Sequence, residues 1–324
     1  MKAIILSIII PTHNRPQYLP RAVKSALQAA PDGNVEVIVV PNGGDETWRE
    51  SLASLLNDTR IIVSPVEKGH ANVARNHGLR LARGKYVRFL DDDDFLLDTA
   101  QDQLNFAIEN QLEICSGYIR QYIEKKGFLD RVFMPKKLGG DFILASLESS
   151  GFTLPVGNLF LKECLDGITW DESIPRLQDN IWMLALSAER EWKWQHYNND
   201  VGVWFHHTQE RVSQAGGASR SSPWVAKMYF ELLIYLEQKN RLSSERKEKI
   251  IHHLFQYAHH NFPNSPLYCH NLIKKTFKLY DDRILIKLWY RLFMEWIFLP
   301  YRYLKNKFRN VKQKYQKMPM LRKL

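Results

Sequence analysis

Lys85-Tyr86-Val87-Arg88-Phe89-Leu90 runs directly into Asp91-Asp92-Asp93-Asp94, and this junction decides the fold. Tyr86, Val87, Phe89 and Leu90 give the first part the apolar, aromatic and β-branched character of a strand. The four carboxylates that follow repel one another, and burying any of them unpaired costs on the order of several kcal/mol. Water or a cation must offset them. A hard divalent cation that takes oxygen ligands and also grips phosphate suits that role. In open α/β sheets ligands bind just beyond the carboxyl ends of the strands, which is where this cluster falls. A solvated acidic turn is the alternative reading of an isolated acidic run. The flanking sequence argues against it.

Upstream, strand and helix signals alternate. Residues 4–10 form a nearly continuous apolar run, the pattern of a strand buried on both faces. They follow Met1-Lys2 and run straight into Pro11-Thr12-His13-Asn14-Arg15 with no small-residue cleavage site, so a first strand fits better than a signal peptide. Pro16 is expected to open a helix reaching Leu27. Residues 35–40 read as a second buried strand ending at Pro41-Asn42-Gly43-Gly44. A helix over 47–56, a short strand over 60–64 and a helix over 72–82 follow, and Gly84 stops the last of these before the acidic strand. The alternation implies βαβ units and a mainly parallel sheet flanked by helices.

From about 115 to 210 the pattern mixes strands (117–123, 128–133, 158–161, 202–206) with helices near 142–149 and 180–190. Ala215-Gly216-Gly217 through Pro223 reads as a boundary. Beyond it come helices only, over 224–238, 243–259 and 266–280. The expected organisation is a catalytic domain over 1–220, comprising a nucleotide-binding half (1–115) and an acceptor half (116–220). A helical extension over 221–282 and a basic tail over 283–324 complete it.

Composition narrows the class. A chain of 324 residues, 45% of them hydrophobic, can bury a sizeable core. Cys115, Cys164 and Cys269 are far apart, show no metal-ligand spacing and read as reduced thiols. The net charge of +10 is local: residues 283–324 carry twelve Lys/Arg and one acid, Glu295, while the other 282 residues hold 33 basic and 34 acidic side chains. That placement, with no nucleic-acid-binding motif beside it, argues against a nucleic-acid partner.

Several ordered motifs together resemble glycosyltransferase family 2. They are Ser7-Ile8-Ile9-Ile10-Pro11-Thr12-His13-Asn14-Arg15, Glu36-Val37-Ile38-Val39-Val40, Gly69-His70-Ala71-Asn72-Val73-Ala74-Arg75-Asn76-His77-Gly78, Ala82-Arg83-Gly84-Lys85-Tyr86 and Phe89-Leu90-Asp91-Asp92-Asp93-Asp94. The set spans about 90 residues. The resemblance implies a GT-A fold, a nucleoside-diphosphate sugar donor with UDP favoured, and a divalent metal, Mn²⁺ or Mg²⁺. By the same resemblance Asp93 would be the main metal ligand, Asp91 would lie close to the same ion and Asp92 would sit nearer the ribose. Thr12, Asn14, Asn42 and Arg75 would line the base and ribose. His207, in His206-His207-Thr208, matches a loop that closes over the diphosphate, where a neutral imidazole completes the metal shell.

Trp170-Asp171-Glu172-Ser173-Ile174-Pro175 followed by Gln178-Asp179-Asn180 is similar to the family's acidic acceptor-side motif. The implied general base is Asp179, placed just before a helix; the alternative for this residue is that helix's N-terminal cap. One departure concerns the donor. Family members often carry two acids where this chain has Pro41-Asn42, so an amide replaces the usual uracil-contacting carboxylate.

In the tail, Arg283, Lys287 and Arg291 recur every four residues beside Leu288, Trp289, Leu292, Phe293 and Trp296. This is the composition of an interfacial membrane helix, with a polybasic end suited to anionic headgroups. The alternative is a helix packed on the catalytic domain. The expected function is a metal-dependent, inverting transferase that moves a sugar onto a lipid-linked or surface-glycan acceptor at the cytoplasmic face of a membrane. A sugar nucleotidyltransferase and a non-catalytic, membrane-bound glycan-binding protein are the alternatives. The first is disfavoured because the turn after the first strand holds no glycine-rich basic loop.

Overall fold

The computed structural model describes residues 3–131, 140–148, 152–207, 223–262 and 264–279. The chain forms two compact units, residues 1–215 and 216–324. The expected tail over 283–324 lies outside the described residues.

In the first unit β1 (Leu6–Thr12) is fully buried along its length, as is β2 (Val35–Pro41). Between them α1 (Leu19–Ala26) carries Leu19, Ala22, Val23 and Ala26 on its buried face, the i, i+3, i+4, i+7 pattern of a helix laid on a sheet. This helix starts later than expected. Pro16 lies in the preceding turn, and Pro20 takes the early helical position where a missing N–H costs nothing. Then come α2 (Trp48–Leu52), β3 (Ile61–Val63), α3 (Ala71–Leu81) and β4 (Tyr86–Phe89). Strands pair in the order β3-β2-β1-β4, all parallel, so their carboxyl ends share one edge. Gly78 lets α3 close on β1: a Cβ there would stand 2.4 Å from Ile9 Cγ2.

Beyond β4 the sheet becomes mixed. The later elements are β5 (Phe95–Leu96), α4 (Thr99–Glu109), β6 (Ile114–Ile123), β7 (Gly127–Arg131), α5 (Phe142–Glu148), β8 (Asn158–Leu161), α6 (Gln178–Glu189) and β9 (Trp194–His206). The order continues β4-β8-β6-β9-β5, with β7 paired to β6. Antiparallel β8 attaches to β4, and parallel β9 runs beside β6 and ends at His206. One core cluster packs Leu6, Ile8 and Ile10 with α1 and α4. The other, on the opposite face, packs Ile9, Phe89 and Phe160 with Trp170 and Trp182. Trp170 and Trp182 stack with centroids 4.4 Å apart and 2° between planes.

The second unit holds α7 (Pro223–Gln238), α8 (Ser244–Asn261) and α9 (Pro266–Leu279). Ser243 caps α8 by accepting the Arg246 N–H at 3.2 Å. None of the described helices is long and apolar enough to cross a membrane.

Candidate active site

The strand-end carboxylates are buried to different depths, and each has a cationic or N–H partner. Thr12, at the end of β1, donates its hydroxyl to Asp92 Oδ2 at 2.7 Å. Arg15 spans the next two acids, reaching Asp92 Oδ1 at 3.1 Å and Asp93 Oδ2 at 2.9 Å. Burial works against the Arg15 charge, but Asp92 and Asp93 more than offset it and hold its pKa above the usual value. Burial pushes Asp92 up to about 7, with Arg15 pulling it down and Asp93 pushing it further up. Arg21 donates to the Asp93 carbonyl at 2.7 Å and lies 3.9 Å from the Phe205 ring centroid. Asp94 Oδ1 accepts the Phe205 N–H of β9 at 2.9 Å, which ties the acidic turn to the far half of the sheet.

That tie brings His207 to the cluster. Its side chain is 0% exposed, stacks on Tyr18 at 4.7 Å and places Nε2 3.0 Å from Asp93 Oδ2. Among the described residues His207 Nδ1 is buried with no partner, so none of them fixes the tautomer through a second hydrogen bond.

Arg75 is the hub on the other side. It projects from α3, buried, with its guanidinium 4.5 Å from the Trp170 ring centroid. It donates to Asn72 Oδ1 and Gln178 Oε1 at 3.0 Å each and to Asp91 Oδ1 at 2.7 Å, and it stands 3.8 Å from Asp179 Oδ1. All four of these partners are protein side chains. Arg75 joins the strand-end acids to the start of α6. Asp179 lies inside the first turn of α6 rather than before it. The cap position is Leu177, in the left-handed region at φ 56°, with no side-chain cap. The Asp179 side chain stays 26% exposed. Burial raises its pKa to about 6, with Arg75 pulling it down and Asp91 pushing it up.

Asn42 and Asn14 sit at the ends of β2 and β1. Asn42 is buried and donates Nδ2 to the Thr12 carbonyl at 2.8 Å. Asn14 is exposed, at φ 53°, with its N–H on Asp45 Oδ2 at 2.9 Å. The structure thus links Thr12, Asn42, Asp92, Asp93 and His207 in one chain of contacts and Arg75, Asp91 and Asp179 in another. Sequence reasoning did not single out Arg15, Arg21 or Gln178. The one signal for such partners was the demand of four adjacent carboxylates for positive charge.

Among the described residues no three His, Cys, Asp or Glu side chains close around one point. Asp93 Oδ2 and His207 Nε2 nevertheless lie 3.0 Å apart, close enough to serve one cation together. Mg²⁺-type sites commonly use one or two protein ligands, with substrate phosphates and water filling the rest. The donor set fits that kind of site.

A parallel sheet whose last strand ends in carboxylates, joined to a mixed half that brings a second acid to the same edge, is the GT-A glycosyltransferase fold. Residues 1–349 of S. aureus TarS in complex with UDP-GlcNAc share it, with a TM-score of 0.63 at 15% identity over 85% of this chain and 81% of that one. Residues 7–164 match the family model of glycosyl transferase family 2. It is 28% identical over 255 residues to a GalNAc(5)-diNAcBac-PP-undecaprenol beta-1,3-glucosyltransferase of Campylobacter jejuni, covering 75% of this chain and 78% of that one. It is 34% identical over 133 residues to the UDP-Glc:alpha-D-GlcNAc-diphosphoundecaprenol beta-1,3-glucosyltransferase WfaP of Escherichia coli, covering 40% and 51%. The chain spans about half the length of WfaP and of a further relative it matches.

Proposed function

We propose that this glycosyltransferase moves a sugar from a nucleoside-diphosphate donor, UDP-linked by preference, to a lipid-linked or surface-glycan acceptor, with inversion at the anomeric carbon. The observation that carries the reading is Arg75, which brings Asp91 and Asp179 to one guanidinium at 2.7 and 3.8 Å. A donor-side acid and an acceptor-side acid thereby face a common space.

In this reading the acceptor hydroxyl gives its proton to Asp179 as its oxygen attacks the anomeric carbon. The bond from that carbon to the diphosphate oxygen breaks, and the electron pair leaves with the diphosphate. A carboxylate with a pKa of about 6 is mostly ionised at neutral pH yet a stronger base than an ordinary aspartate. Arg75 holds it in place and ionised. Thr12 fixes the rotamer of Asp92, and Arg15 and Arg21 set positive charge beside the leaving diphosphate. Asp93 and His207, with Asp91 close by, would hold a divalent cation. When bound, that ion would neutralise charge developing on the diphosphate.

The names of the Campylobacter jejuni and Escherichia coli relatives support a lipid-linked acceptor, and the nucleotide bound to the TarS structure supports UDP. Where the usual carboxylate would meet uracil, Asn42 is tied to the Thr12 carbonyl, leaving backbone and loop to recognise the base. The basic segment 283–324 would hold the enzyme on the inner face of the membrane. A thermal-shift screen of nucleoside diphosphates and nucleotide sugars, with and without Mn²⁺, tests the donor assignment. A ligand that binds the folded state raises the melting temperature by mass action. A uridine diphosphate sugar is expected to do so with Mn²⁺ present. Stabilisation by no nucleotide would remove the donor site.

A further inference from the structure

The second unit carries a cleft that the transfer chemistry does not use. It lies between α7 and α9, has a volume of about 510 Å³, and is lined by Lys227, Phe230, Tyr268, Leu272, Lys274 and Lys275. This is within the size range of small-ligand pockets. Tyr268, Leu272 and Lys275 follow one another at i, i+4 and i+7, so one face of α9 presents an apolar base and then an ammonium group. Leu272 is buried, Tyr268 is 41% exposed, and neighbouring Leu267 is 72% exposed. Lysines beside apolar surface lay their stems along it and keep their charge at the rim.

The charged residues that line the cleft are all lysines. Along α9 the sequence PLYCHNLIKKTFKL contains no acid. Among the described residues neither Lys274 nor Lys275 makes an ion pair, and Lys227 pairs with exposed Glu231 at 3.6 Å. Exposed pairs of that kind contribute little. An apolar floor under a rim of ammonium groups is complementary to an amphiphile with an anionic head. The chain's own segment 283–324, at net +11, has the wrong sign to fill it, and so does the same lysine-rimmed face of a second copy.

We infer that the α7–α9 cleft is a binding site for an anionic phospholipid, with an acyl chain against Phe230, Tyr268 and Leu272 and the phosphate among Lys227, Lys274 and Lys275. Lysine meets phosphate as a point charge, without the planar fork of arginine. The site is independent of the transferase reading, since no residue of the candidate active site lines it.

The full-length chain is mixed with phosphatidylcholine vesicles containing a minor fraction of phosphatidylglycerol that bears a photoreactive acyl chain, then irradiated, digested and mapped by mass spectrometry. Adducts are expected within residues 226–230 and 268–275. The same photoreactive group on phosphatidylcholine should label them far less. Lys274→Gln with Lys275→Gln changes two exposed side chains, so folding should persist, and adduct yield should fall roughly tenfold. The matching Lys→Arg pair, which keeps the charge, should retain labelling. Asp179→Asn should label like the unaltered chain, so loss of transfer chemistry and loss of this site are separable. Adducts confined to 283–324, equal labelling by the neutral lipid, or an unchanged yield in the glutamine pair would each overturn the assignment.

Discussion

At the scale of single residues, the site is a set of carboxylates whose charges are set by three arginines. Asp93 meets both Arg15 and His207, so Asp93→Asn exchanges an anionic ligand for an amide at the centre of the cluster. Turnover should fall by at least about 100-fold, while the thermal melting curve stays cooperative. Full metal-dependent activity in that variant would take Asp93 out of the cation site. Asp179 should behave differently. With a pKa of about 6 it is protonated below that pH and cannot accept the acceptor's proton. The rate should therefore rise with pH and level off above about 6. Asp179→Asn should keep donor binding, read by thermal shift, yet lose about 10²- to 10⁴-fold in transfer. Arg75→Gln removes the cation that pulls Asp179 down, so the acidic limb should move to higher pH by about one unit. An unmoved limb would make Arg75 purely structural. The acids themselves were legible in the sequence because four adjacent charges demand an explanation. Their partners were not: Arg15 lies 77 and 78 residues from the acids it spans, and nothing local says that Arg75 turns toward Asp91.

At the scale of elements, the opposite end of the parallel strands is held by a buried polar knot rather than a ligand. Glu36 on β2 accepts the Ser7 hydroxyl at 2.6 Å, the Arg83 backbone N–H at 2.6 Å and the Arg83 Nε at 2.8 Å. Ser7 Oγ in turn accepts the Gly84 N–H at 2.8 Å. Gly84 has to be glycine here because a Cβ would stand 2.5 Å from Ser7 N and 2.7 Å from the Leu6 carbonyl carbon, both backbone atoms. Gly84→Ala should destabilise the first unit by about 1–3 kcal/mol, seen as a lower melting temperature with nucleotide affinity kept in the folded fraction. An unchanged melting temperature would show that β1 and β4 can spread at no cost. Strands with nearly continuous apolar runs, such as β1 and β2, were legible because burial on both faces leaves that signature. The first half of β9 was not: Gln195-His196-Tyr197-Asn198-Asn199-Asp200 is largely half-buried or exposed, and its pairing comes from β6. Nor was β5, whose two residues are strand only because β9 lies beside them. The start of α6 was misplaced by two residues because a left-handed Leu177, rather than a polar cap, begins it.

At the scale of the whole molecule, charge is divided unevenly along the chain. Residues 283–324 carry net +11 against −1 for the rest, so electrostatic attraction to an anionic surface should reside in that segment. Deleting it should abolish most sedimentation with anionic vesicles while leaving a folded nucleotide site, read by thermal shift with a nucleotide sugar. Salt separates the two contributions to binding by the full-length chain. Raising ionic strength shortens the Debye length from about 10 Å at 0.1 M to about 3 Å at 1 M, which removes the Lys/Arg contribution but not burial of Trp289, Phe293 and Trp296. Binding should therefore weaken with salt and reach a plateau above zero. A lipid held in the α7–α9 cleft makes a further distinction, because the cleft remains in the truncated chain. The shortened protein should still take photoreactive phosphatidylglycerol at residues 268–275 even where it no longer sediments. If the full-length chain ignores anionic vesicles, or truncation unfolds the first unit, the segment is a packed structural element and the membrane reading fails, while the match of residues 7–164 to the family model stands.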